Sequence, residues 1–420
     1  MNSKRAPAKN PAKEAFAVSN GYSHEKLAAR AKEIEPQIIE WRHQIHRNPE
    51  LAFHEVATSA LIEEQLKKFG LDQVERIGSS KTGVLGVLKG TGTGPELCLG
   101  IRADIDALPI QEESGVEFAS QNPGVFHGCG HDTHASCLLG TAWLLSEFRH
   151  CFAGTVKFFF QHAEEVLGGG EEFMAAGVME NPHVDAVLAL HALPDIELGQ
   201  IGVRYDAMTA AVDEIKITIE GKRAHGAYPH FGVDTILIAS TIVTQLMSLS
   251  SRELFPTDCA LVTFGSIHGG ISNSYIGAPV VLEGSLRCLR NDTHDHFVKR
   301  IREIVESVAT GMRGKATVEF HQESWPTTVD RDWVNRVRRA CDQVEGASSV
   351  DLRSPAMGGE DFALFLQKAP GVLFRLGCRT PGGPHCPTHS INFYADDRSL
   401  RIGYEVMTTT VLNALTGAEG

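Results

Sequence analysis

Apolar residues recur every three or four positions from Tyr22 to His54, with Leu27, Ile34, Ile38, Trp41 and Ile45 on one face. That spacing predicts a helix ending at Asn48-Pro49. A second helix is expected over 55–69, stopped by Gly70. The pattern then shortens to apolar runs of strand length at 83–88 and 96–102, the latter passing into Ala103-Asp104-Ile105-Asp106-Ala107-Leu108-Pro109. The helical period returns over 135–148. A strand expected at 155–160 closes on Gln161-His162-Ala163-Glu164-Glu165, and another at 186–190 closes on His191. Strands alternating with helices, with polar residues just past the strand ends, predict an α/β sheet whose ligands meet in the crevice beyond its carboxyl edge.

From about Val212 the pattern changes. Residues 213–220 alternate apolar and polar, a helix is expected over 233–249, strands over 259–267 and 280–289, a helix over 294–310 and a last strand over 316–321. This β-α-β-β-α-β order predicts a small ferredoxin-like α+β unit with its helices on one face of an antiparallel sheet. From Trp325 the first pattern resumes, with helices at 332–344 and 361–367. The chain therefore divides into a disordered leader (1–22), a first part of the main α/β domain (23–210), an inserted satellite domain (211–324) and the second part of the main domain (325–420).

The length of 420 residues suits two cores better than one. No apolar run approaches the roughly 20 residues that cross a bilayer. The basic residues Lys4, Arg5, Lys9 and Lys13 precede no apolar segment, so a secretory signal is not expected. A net charge of −13 argues against a nucleic-acid partner. Nine cysteines scattered without a C-x-x-C pair point to reduced thiols in the cytoplasm.

Candidate chemistry concentrates in Phe126-His-Gly-Cys-Gly-His-Asp-Thr-His134. Four potential metal ligands, Cys129, His131, Asp132 and His134, stand within six positions, and Gly128 and Gly130 let the backbone aim them at one point. Elsewhere the signals are weaker alone. Glu164-Glu165 is an ordinary dipeptide until the strand before it and Gly168-Gly169-Gly170 after it make a sharp turn over a pocket. A lone His191 would be an ordinary buried residue, and of His385 and His389 one is expected to coordinate. Asp104 and Asp106, past another strand, are placed to accept a hydrogen bond from a ligand histidine. Thiolate, imidazole and carboxylate together admit zinc or manganese, with cobalt or nickel also compatible, so ligand type does not fix the metal. Two ions about 3.5 to 4 Å apart need a bridging ligand and further ligands on each side. Cys129, His131, Glu165, His191 and His389 suffice, with a shared water.

Five motifs carry a family resemblance. They are His127-Gly-Cys129-Gly-His131-Asp132-x-His134, Ala103-Asp104-Ile-Asp106-Ala-Leu-Pro109, Gln161-x-Ala163-Glu164-Glu165, Gly221-Lys222-x-x-His225-Gly226-x-x-Pro229-His230 and Gly358-Gly359-Glu360-Asp361-Phe362. In this order, between about Trp41 and Phe393, the chain resembles the aminoacylase and hippurate hydrolase group of co-catalytic metallopeptidases, to which plant auxin-conjugate hydrolases belong. The resemblance implies a zinc-peptidase-like mixed sheet and a binuclear site bridged by Cys129, with His131, Glu165, His191 and His389 as the other ligands. It implies Glu164 as general base, a satellite domain that mediates dimerisation or higher assembly, and His225 reaching the partner's site to stabilise the oxyanion. Asp106 completes the catalytic set, and Asn273 and Arg287 match positions that hold the substrate's carboxylate or backbone. The chain departs from the usual pattern at Gly128, His162 and Asn273-Ser-Tyr-Ile-Gly-Ala-Pro279, and Asn273 and its neighbours would line the acyl or carboxylate pocket.

The activity expected is hydrolysis of the amide bond of N-acyl amino acids, acetyl, benzoyl or related. The rival on the same scaffold is another C–N bond, in an aminobenzoyl conjugate, a dipeptide or an aromatic amine. A non-catalytic metal-binding protein would need the ligands but neither Glu164 nor His225.

Overall fold

A computed structural model describes residues 22–418. The expected leader lies outside the described residues except for Tyr22. That residue is buried and packs edge-on against Phe148, so it belongs to the core rather than to the leader.

The main domain begins with α1 (His24–Arg47) and α2 (Val56–Lys68). Ser23 caps α1 by accepting a hydrogen bond from the Lys26 amide, and its buried positions Leu27, Ala31, Ile34, Ile38, Trp41 and Ile45 follow the expected stripe. Next come β1 (Gln73–Ile77), β2 (Gly83–Lys89), β3 (Cys98–Asp104), α3 (His131–Glu147), β4 (Thr155–Gln161), α4 (Gly169–Ala175), β5 (Ala186–Glu197), β6 (Gln200–Val203) and the short β7 (Asp206–Ala207). The satellite sequence supplies β8 (Ala211–Glu220), β9 (Ala224–His225), α5 (Thr235–Leu246), α6 (Leu249–Arg252), β10 (Ala260–Gly269), β11 (Tyr275–Ile276), β12 (Val280–Cys288), α7 (Asn291–Gly311) and β13 (Lys315–Ser324). The chain closes with β14 (Thr328–Val329), α8 (Arg331–Gln343), β15 (Ser348–Asp351), α9 (Ala363–Leu366), β16 (Gly371–Arg379) and α10 (Arg398–Thr416).

Among the described residues, eight strands form one mixed sheet in the order β1-β2-β4-β3-β5-β16-β6-β15. Its centre is parallel, β3 running with β4 and β5 and β5 with β16, whereas β2 and β6 run against their neighbours β4 and β16. The carboxyl ends of β3 and β4 therefore open into one crevice with the later part of β5 and β16. Helices α1, α3 and α10 pack on one another, and α3 and α10 lie against this sheet. A second, antiparallel sheet has the order β10-β12-β8-β13. Alternate residues Ile215, Ile217 and Ile219 bury against α5 and α7 in a core separate from that of the main domain. The expected mixed α/β architecture with an inserted antiparallel unit is the one observed. No described helix is long and apolar enough to cross a membrane.

Four of the expected elements take other bounds, and β1, β6, β15, β16 and α10 were not expected. Helix α3 starts at His131, four residues early, because Gly130 takes a left-handed conformation (φ 88°) and turns the chain straight into the helix. Strand β5 continues to Glu197, so His191 stands within the strand and not past its end. The helix expected over 233–249 breaks into α5 and α6, and that over 361–367 is the single turn α9.

Candidate metal centre

Cys129 sits in the turn before α3, and His131 is the first residue of that helix. A side chain at Gly130 would come within 3.1 Å of the Ala192 Cβ and 3.2 Å of the Phe393 ring, so glycine lets this turn press against β5 and the segment that carries His389. The His389 amide donates to the Gly128 carbonyl, 2.8 Å away, which docks that segment on the same turn. On the other side, Glu164 and Glu165 follow β4. Ala163 and Leu167 hold positive φ values of 51° and 52° around them. A Cβ at Gly169 would collide with the His162 carbonyl at 1.6 Å, so the loop can turn this tightly only with glycine there.

These elements bring five side chains together. Cys129 Sγ is 3.5 Å from His191 Nε2. Glu165 spans the opening, with Oε1 3.6 Å from His131 Nε2 and Oε2 3.5 Å from His389 Nε2. Ligand atoms of Cys129, His131 and His191 lie within 4.8 Å of one another, as do those of Cys129, Glu165 and His389. Cys129 is the member common to both triads, which is the position a bridging ligand requires. Donors held about 2.0 to 2.3 Å from one cation are themselves roughly 3.3 to 3.8 Å apart, so the separations match coordination. His131 Nε2 and Glu165 Oε1 are both buried without a hydrogen-bond partner. A cation between them would satisfy two otherwise costly buried groups, so the donor set fits two divalent ions.

The remaining polar atoms orient this set. His131 donates from Nδ1 to Asp106 Oδ1 at 3.2 Å, which leaves its Nε2 lone pair facing the centre. The other Asp106 oxygen accepts the Glu165 amide at 3.0 Å, so one carboxylate ties both ligands. His191 donates from Nδ1 to the Ala192 carbonyl at 2.8 Å and directs Nε2 at Cys129. Two of the four candidates in the Cys-His segment do other work. His134 uses both ring nitrogens, donating to Asp104 and accepting from the Ala192 amide. Asp132 binds Arg42 and His46 from α1. His385 lies against Asp195, leaving His389 as the histidine of that segment that faces the centre.

Glu164 is buried, 3.9 Å from His131 Nε2. Burial and the neighbouring Glu360, Asp361 and Glu165 carboxylates push its carboxyl well above the usual range, which suits a group that takes and returns a proton. Burial and Glu165 likewise raise the Cys129 thiol, a penalty that a cation binding the thiolate would reverse. Arg102 supports Glu360 and Asp361 from below, at 3.1 and 2.7 Å, and Asp104 at 2.7 Å.

The centre opens into a cleft of about 720 Å³. Of the candidate residues in the satellite sequence, none lines this cleft within one chain. His225 lies exposed on β9, which pairs with β11, and its Nδ1 accepts the Ala227 amide. Asn273 is exposed in the loop before β11. Arg287 donates to the Met357 carbonyl at 2.6 Å, next to Gly358 on the cleft wall. Among the cleft residues that escaped the sequence reading, one is a buried cation. Arg375, buried on β16, lines the floor. Its signal is a lone cation in the otherwise apolar run 371–376.

Comparison with known proteins gives the centre a context. A model described as peptidase family M20/M25/M40 matches residues 100–413. The chain is 36% identical to N-acetyl-L-cysteine deacetylase of Bacillus subtilis over 372 residues, covering 89% of this chain and 88% of that one. It is also 36% identical to thermostable carboxypeptidase 2 of Saccharolobus solfataricus, over 90% of this chain and 95% of the other. Among solved structures, a Bacillus subtilis protein described as a dinuclear metal binding peptidase from the M20 family superposes with a TM-score of 0.80 at 30% identity, covering 91% of this chain and 99% of that one.

Proposed function

Because the chain belongs to peptidase family M20/M25/M40, we propose that it is a binuclear metal-dependent amidohydrolase that removes the acyl group from N-acyl amino acids. The observation that carries this reading is the buried Glu164, 3.9 Å from His131 Nε2, set beside two ligand triads that share Cys129.

In this reading Cys129, His131, Glu165, His191 and His389 hold the ions, manganese or zinc. The bound pair supplies an acidified water and a polarised carbonyl. Glu164 removes the proton from that water and returns it to the leaving amine, while Asp106 keeps His131 and Glu165 aimed. His225 of the partner subunit donates to the developing oxyanion, and Asn273 and Arg287 hold the substrate's carboxylate or backbone. A homodimer is supported by the surface. Ten of the thirteen exposed large hydrophobics among the described residues, including Leu261 and Ile267 on the edge strand β10, belong to the satellite sequence. A cytoplasmic site is supported by the cysteines, none of which is paired.

A second reading, peptide hydrolysis, is favoured by the identity to the carboxypeptidase. Purified protein loaded with manganese or zinc and offered acetyl- and benzoyl-amino acids, aminobenzoyl conjugates and dipeptides separates the two. Release of acetate or benzoate is expected. The Glu164→Gln variant is expected to retain both ions by elemental analysis while losing about 10² to 10⁴-fold in kcat. Unchanged turnover in that variant removes Glu164 from its role.

A further inference from the structure

The cleft floor holds a charge that the metal centre does not use. Arg375 on β16 is paired in register with His191 on the parallel β5. Side chains in register on adjacent strands share a face, so the guanidinium rises beside the metal-binding histidine. It is 92% buried (8% exposed) yet lines the cleft, and its side chain makes no hydrogen bond or ion pair among the described residues. The carboxylates whose charge it feels have other neighbours: Glu360 receives Arg102 and the Phe362 amide, Asp104 receives Arg102 and His134, and Glu164 stands beside His131. Gly202 makes the room. On the strand that runs against β16 it opposes Arg375, and a Cβ there would stand 3.1 Å from the arginine's own Cβ.

A desolvated guanidinium without a partner is costly and persists where something supplies the missing anion. Filling the centre with two cations makes its position less favourable still, so the occupant must bring negative charge. The planar fork matches a carboxylate through two parallel hydrogen bonds, which lysine cannot reproduce.

We propose that Arg375 is an anion anchor in the cleft floor that grips a carboxylate of the substrate. This rests on the amidohydrolase reading for the substrate's identity, but not for the anchor itself. The carboxylate has two sources, the α-carboxylate common to all N-acyl amino acids or a second acidic group on the side chain or acyl chain.

The test compares wild type, Arg375→Met and Arg375→Lys on N-acetyl-L-methionine, N-acetyl-L-methioninamide and N-acetyl-L-glutamate. If the α-carboxylate is held, R375M raises KM about 10 to 100-fold for both acids relative to the amide, with kcat changed far less. If the second carboxylate is held, only the glutamate derivative suffers. Partial rescue in R375K is expected in either arm. An equal fall of kcat on all three compounds with KM unmoved overturns the anchor and leaves Arg375 a framework residue. Calorimetric titration of the metal-loaded protein with glutarate gives a readout without turnover. Binding at least tenfold weaker in R375M supports the anchor even if wild type hydrolyses no amide, an outcome that would sink the amidohydrolase reading alone. Equal glutarate affinity in the two proteins overturns it.

Discussion

Asp106 shows how much one carboxylate can organise. Its two oxygens take the His131 ring and the Glu165 amide, and these residues lie on different elements, the start of α3 and the turn after β4. Each bond alone is worth about 1 to 3 kcal/mol. Their joint effect is geometric, because losing either lets a ligand swing away from the point the others define. Asp106→Asn keeps the shape but presents an amide to one of two donors. Apparent metal affinity is expected to fall about 10 to 100-fold, measured by competition with a chromophoric chelator, while the unfolding midpoint of the metal-free protein moves little. A variant that binds both ions as tightly as wild type would show that the Asp106 bonds do not aim the centre.

Elements are held to the centre by a second buried cluster. Arg42 and His46 on α1 reach across to Asp132 in the first turn of α3, 2.9 and 2.8 Å away. Burial would raise the Asp132 carboxyl, but the Arg42 and His46 charges outweigh it and hold it well below the usual range. Burial works against the charged His46 ring, and Asp132 nevertheless lifts its pKa above the ordinary value. The signs fix the pH dependence. The depressed carboxyl stabilises the fold above its unfolded pKa of about 3.9 and that stability is lost as pH falls through the folded value. The raised imidazole contributes fully below about 6.5, and its contribution is lost as pH rises through the folded value. Asp132→Ala leaves Arg42 buried with only part of its partnership, and urea unfolding near pH 5.5 is expected to report a loss of about 3 to 5 kcal/mol. A loss under 1 kcal/mol would mean the cluster does not anchor α3. The same elements show what a sequence discloses. Stripes with an apolar and a polar side, such as α1 and α7, announce themselves. Strand β16 and helix α10 do not, since β16 is buried on both faces and α10 is buried on nearly every residue from Ser399 to Leu415, with threonines among the leucines. Without contrast between faces there is no period to read, and Arg375 was hidden inside one such run. The candidate metal ligands were legible for the opposite reason, because cysteine, histidine and glutamate crowded around glycines are hard to account for by packing. Which histidines merely hold a hydrogen bond, as His134 does, emerges only from their partners in space.

Over the whole molecule, the open question is how His225 could serve a centre whose cleft, within one chain, it does not line. The exposed apolar residues of the satellite sequence and the unpaired edge of β10 supply a surface on which a second copy can pair. A twofold pairing would leave each His225 outside its own cleft and free to enter the other. The arrangement can be tested by complementation. Glu164→Gln and His225→Ala are each expected to be nearly inactive as homodimers. In a mixed dimer that works across subunits, the site on the H225A chain keeps its own Glu164 and borrows an intact His225, whereas the other site lacks both. Random co-assembly then gives about a quarter of the wild-type sites, and hence of the rate. Action within one chain predicts no recovery, because no subunit carries both groups. Recovered activity should also vanish on dilution below the dimer's dissociation constant. Monomers that retain full activity by sedimentation and assay would show that no partner's His225 is needed and leave the satellite surface without a catalytic role.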